Sequence, residues 1–161
     1  MADDHEADRI RAQARHLLRD GTIGNTLVAT SGHIDAPIAV RAPDGRLHSW
    51  FVPVTVGNQL AGFFQFQREG TYMRFSSFAR RPGELAGCPA AADWLDPDRI
   101  RTHAEVRRRS DETSGTPFLT YDRTPDRLVW AVPLTDAHGG VRLVFVVGET
   151  VYAPPPEGTY D

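Results

Sequence analysis

Hydrophobic positions along this chain change period three times, from helical to alternating, back to helical and again to alternating. In residues 3–20, DDHEADRIRAQARHLLRD, Ile10, Ala14, Leu17 and Leu18 recur at helical spacing. Acidic residues crowd the start and arginines follow, as the helix dipole favours. Gly21 supplies a C-terminal stop. The next stretch, TIGNTLVATSGHIDA, reads as loop, with a short strand over Thr26–Ala29. From Ala36 the period drops to two. APIAVRA, RLHSWFVPVTV, QLAGFFQFQ and TYMRFSSF are separated by Pro43-Asp44-Gly45, Gly57-Asn58 and Glu69-Gly70, which predicts a four-strand meander. In its second strand His48, Trp50, Val52, Val54 and Val56 share one face, and Leu47, Ser49, Phe51, Pro53 and Thr55 the other. Gln65 and Gln67 in the third strand predict that one sheet face is partly wet.

After a connector rich in Gly, Pro and Ala, the order repeats. Asp96-Pro97 is an N-cap followed by an N1 proline, and PDRIRTHAEVRRRSDE predicts a helix to about Glu112. Four more strands follow in TPFLTYD, RLVWAVPLT, VRLVFVV and TVYAP. Trp50, Val52, Pro53 and Thr55 recur as Trp130, Val132, Pro133 and Thr135, all at an offset of 80, and DRIR at 8–11 recurs at 98–101. The sequence is therefore read as α+β: two tandem α-β-β-β-β units with antiparallel meander sheets and a pseudo-twofold internal repeat. The first unit spans 1–78, a connector 79–95, the second unit 96–154 and a flexible tail 155–161, in one compact body. Proline cannot donate to a ladder, so Pro53 and Pro133 are expected where the chain bends or where their nitrogens point off the sheet.

The helix-then-meander order, with the DG-strand-VPV-turn-strand pattern at 44–66 and its copy at 126–147, resembles the cystatin-like and PepSY-like small α+β domains. The resemblance implies binding of a peptide or an apolar ligand in the sheet's concavity. It does not carry protease inhibition, because the Gln-x-Val-x-Gly hairpin of cystatins is missing.

Composition narrows the chemistry. All 18 basic residues are arginine, which excludes Schiff-base and lysine-nucleophile mechanisms. Cys88 is the single cysteine, so neither an internal disulfide nor a multi-cysteine zinc site can form. A net charge of -3 gives no electrostatic case for nucleic acid or an anionic membrane. The polar N-terminus and the lack of a ~20-residue apolar run lead us to expect a cytoplasmic protein.

Candidate chemistry is scattered. No two of the six histidines stand at HxxxH or HxH spacing. DDHE at 3–6 reads as a solvated helix start, Arg107-Arg108-Arg109 with Arg99 and Arg101 as a solvated helix face, Cys88 as a loop thiol, and the proline-rich tail as an unstructured end. Trp50 and Trp130 are expected to bury against their own helices, with a pocket wall as the alternative. No cofactor or metal is called. The expected function is a non-catalytic binding protein. It would hold an apolar or aromatic small molecule, or a peptide, at Trp50, Phe51, Phe64, Trp130 and His48, on a sheet face or between the repeats. One alternative is a small isomerase, cyclase or hydrolase with His48 as base and Asp35 or Asp44 beside it. Another is a protein–protein adaptor or immunity-type protein using exposed strand edges or the arginine helix. A homodimer through sheet edges is also expected to be possible.

Overall fold

The computed structural model describes residues 2–81 and 83–154, and the predicted tail at 155–161 lies outside them. The protein is α+β, with ten strands, mostly antiparallel, and four α-helices among the described residues. It divides into two compact units: residues 1–40 with 47–91, and residues 41–46 with 92–161.

In the first unit α1 (Ala2–Arg19) and the short α2 (Thr26–Ser31) precede β1 (His33–Ile34), β2 (Ile38–Arg41), β3 (Leu47–Val56), β4 (Gln59–Gln67) and β5 (Tyr72–Ser77). The strand order is β2-β3-β4-β5, with β1 also pairing β3. β3 and β4 register Trp50 with Phe66, Phe51 with Gln65 and Val52 with Phe64. The helical stripe works as predicted: Ile10, Ala14 and Leu18 of α1 close over Trp50, Val52, Val54, Phe64 and Phe66 in one cluster. Each such side chain contributes about 1.5–3 kcal/mol when fully buried.

Two expectations fail here. Thr26–Ala29 is helix, not strand: the Asn25 side chain accepts from the Val28 amide at 3.2 Å, and this cap starts α2. Gln65 is not wet. It is 1% exposed, because its amide donates to Ser49 Oγ at 3.1 Å and its carbonyl accepts from Arg74 Nε at 2.9 Å, which satisfies a buried polar group internally.

In the second unit α3 (Ala91–Leu95), a helix inside the predicted connector, leads into α4 (Pro97–Ala104) and a 3-10 turn at Glu105–Arg107. β6 (Thr113–Ser114), β7 (Phe118–Tyr121), β8 (Leu128–Thr135), β9 (Val141–Val147) and β10 (Thr150–Tyr152) follow, ordered β7-β8-β9-β10 with β6 also on β8. α4 lies against β8 and β9. The helix predicted to reach Glu112 stops at Ala104. Glu112 accounts for the stop. Its carboxylate accepts from the Arg109 amide at 2.7 Å and from Arg142 Nε and Nη2, both at 2.8 Å, holding residues 108–112 in a closed loop. The arginine run is thus off the helix, with Arg108 on Glu105 and on the Glu112 carbonyl.

The two prolines occupy equivalent breaks. Asp35 N donates to Pro53 O at 3.0 Å, and Gly115 N to Pro133 O at 2.8 Å. In extended backbone the nitrogen points the same way as the carbonyl of its own residue. Each proline nitrogen therefore faces the point where the neighbouring strand breaks off, after Ile34 in one unit and after Ser114 in the other. The missing donor falls where the ladder has ended.

Candidate functional site

The predicted aromatic set is distributed over separate cores. Trp50 and Phe64 lie together under α1, 4% and 0% exposed. Phe51 is on the opposite face of β3, stacked on Phe63 with ring centroids 4.5 Å apart. Trp130 belongs to the second unit. Its indole N–H donates to Trp94 O at 2.9 Å, and the two rings meet edge to face at 6.3 Å. The connector hides Trp94 from periodicity, because α3 is too short to show a stripe.

His48 is half-buried beside a hollow of about 450 Å³, lined also by Leu47, Gln67, Arg68, Glu69 and Met73. Its Nδ1 lies 2.9 Å from Ser49 Oγ, which joins the Gln65–Arg74 chain. The acids suggested for it are engaged elsewhere. Asp35 sits 3.3 Å from His33 and bonds through its amide to Pro53 O. Pro53 is five positions from His48 along β3, which is ~17 Å at strand rise. Asp44 accepts from the Arg46 amide at 3.0 Å within its own turn. Ser49 is 0% exposed, so no substrate reaches its hydroxyl.

No family model, no curated protein and no solved structure matches the chain.

The surroundings of Cys88, Glu112 and Tyr152 shift their titration. Burial pushes the Cys88 thiol up, away from the reactive thiolate. The Arg142 hydrogen bonds hold the Glu112 carboxyl down at about 2. Burial first, and then donation to Asp122 Oδ2 at 2.6 Å, pushes the Tyr152 phenol up to about 12. Among the described residues no three His, Cys, Asp or Glu side chains converge as a metal site requires, and no helix is long and apolar enough to cross a membrane.

Sequence reasoning named exposed sheet edges in general but did not single out the outer edge of β5. This strand ends the order of the first unit, and among the described residues it pairs with β4 alone. Phe78 N donates inward to Ala61 O at 2.9 Å. Antiparallel alternation then turns the backbone N–H and C=O of Ser77 and Phe75 outward. The one charged side chain of β5, Arg74, turns inward to Gln65 and lies 5.8 Å from the centroid of the Phe63 ring. A hollow of about 290 Å³ adjoins this edge, lined by Phe75, Ser77 and Ala79 on one side and Ile23, Gly24 and Asn25 on the other. No periodic signal marks a terminal strand, because an edge is a property of pairing order and not of composition.

Proposed function

We propose that the protein is a non-catalytic binding module that takes an extended peptide segment as an added strand on the outer edge of β5. The observation that carries this reading is the outward-facing Phe75–Ser77 backbone, which ends the strand order beside a hollow. Natural sheets blunt such edges with outward charges, prolines or bulges. Here the charge is drawn inward, and the register irregularity lies at Gln65/Phe66, before Phe75 is reached. Main-chain hydrogen bonds would give the affinity, as in other strand-addition modules.

We further infer that the two units are tandem copies of one α-β-β-β-β ancestor. The support is that pairings recur at the sequence offset of 80: His33 with Thr55 and Thr113 with Thr135, Trp50 with Phe66 and Trp130 with Val146.

The test uses Ser77→Pro. Proline at this position removes an outward N–H and leaves the β4-facing backbone groups of Ser76 and Phe78 in place. Ser77→Ala controls for the lost hydroxyl, which accepts from the Ala79 amide at 3.1 Å and donates to Ala61 O at 3.4 Å. An array of random extended octapeptides should yield binders that shift the amide resonances of Phe75 and Ser77. Ser77→Pro should abolish that binding while the far-UV circular dichroism is unchanged. Binders whose affinity survives Ser77→Pro would overturn the proposal.

A further inference from the structure

A second hollow neighbours the one beside the edge of β5. The hollow beside Phe75 and Ser77 shares Gly24 and Asn25 with a second one of about 380 Å³, which runs past Arg19 to Ala29 and Thr30 of α2. These two residues of the α1–α2 loop thus wall both hollows. The first is also walled by Ile23, Phe75 and Ala79, which suit an aliphatic side chain. The second carries one charged side chain, Arg19, and no carboxylate lines either hollow. Neighbouring Asp20 is turned to its own turn, accepting from the Thr22 amide at 2.8 Å.

We infer that the occupant is an extended peptide bearing an aliphatic residue and, two positions on and so on the same face, a carboxylate. The aliphatic side chain sits beside Phe75 and Ala79, and the carboxylate sits on Arg19. This rests on the strand-addition reading and deepens it. A strand laid against Phe75 and Ser77 projects alternate side chains toward the helix side of the sheet, where the first hollow lies. The neighbouring hollow offers the Arg19 guanidinium, whose planar donors match a carboxylate.

The experiment uses the full chain and fluorescein-labelled octapeptides of alternating threonine and valine. All are C-terminally amidated; one ends in leucine–threonine–aspartate (the leucine–aspartate peptide), one in leucine–threonine–lysine (leucine–lysine), one in glycine–threonine–aspartate (glycine–aspartate), and one is the leucine–aspartate peptide with a central proline. The leucine–aspartate peptide should bind about 5-fold or more tighter than the leucine–lysine one, a margin suited to a partly exposed charge pair. Arg19→Glu should invert that order. Ala79→Trp, which fills the first hollow, should weaken the leucine–aspartate peptide to the level of the glycine–aspartate one. The proline peptide should not bind. If the three proline-free peptides bind alike, to the wild type and to both variants, the inference is overturned while strand addition stands. If none binds, both fall together. If sedimentation shows a dimer that Ser77→Pro dissolves, the edge belongs to a second copy and the peptide assignment is overturned.

Discussion

Glu112 shows how much one buried charge decides. It is 4% exposed, clamped by both Arg142 donors and by the Arg109 amide, and its carboxyl is held at about 2 against an ordinary value of 4.5. A carboxyl whose pKa is depressed in the folded state adds stability that is fully present above the unfolded value. That stability is lost as pH falls toward the folded one. Glu112 therefore stabilises the protein at neutral pH, and its contribution drains away between about pH 4.5 and about pH 2. Glu112→Gln removes the charge and leaves Arg142 half-buried without its carboxylate. Melting temperatures measured from pH 7 down to pH 2.5 should show the variant well below wild type at neutrality, with the gap closing as the pH drops. A gap that stays constant with pH would mean that Glu112 acts through shape and not charge. None of this was legible in the sequence. Glu112 and Arg142 are 30 residues apart, and a long-range ion pair leaves no periodic trace.

At the scale of elements, the meanders were readable because alternation reports directly on a half-buried strand. The strand pattern from Leu47 to Val56 was expected and found, with Trp50, Val52 and Val54 on the helix face. The short elements were not readable. α2 rests on one Asn25 cap, β1 and β6 are two residues each, and α3 is five. All are too short to carry a period. The β4–β5 pair depends on Gly62 for a reason of space. A Cβ there would stand 2.5 Å from Ser76 O and 2.7 Å from Phe75 Cζ. The Phe75 ring lies across the bare glycine and meets Phe64 at 5.0 Å between centroids. Gly62→Ala should force β5 outward and cost about 1–3 kcal/mol, the range for overpacking a tight site. Urea denaturation is the measurement, and a midpoint equal to wild type would show that β5 yields without strain. The same substitution should loosen the β5 edge and shift the Phe75 and Ser77 amides, which ties the stability of this hairpin to the proposed binding edge.

For the whole molecule, the composition reading limited the chemistry but left the site open. The absence of lysine and the lone cysteine removed mechanisms; neither pointed to β5. The organisation of the chain holds a further consequence. The second unit is not one run of sequence, because it takes in Arg41–Arg46 at the turn between β2 and β3 along with residues 92–161. A cut between residues 91 and 92 therefore strips that unit of part of its own surroundings. The remaining piece has roughly 70 residues, a size at which a single core is marginal even when complete. Its internal ties are the α4 contacts with β8 and β9, the Trp94–Trp130 pair and the Glu112–Arg142 clamp. Expressed alone, the 92–161 fragment should form the clamp weakly and melt broadly. Its near-UV signal from Trp94 and Trp130 should be reduced against the full chain. Adding Gly-Ser-linked residues 41–46 to its N-terminus should recover part of the lost melting temperature. A 92–161 fragment that melts sharply, with the near-UV signature those tryptophans show in the full chain, would mean that Arg41–Arg46 is a passenger and that the repeat boundary read from sequence is also the folding boundary.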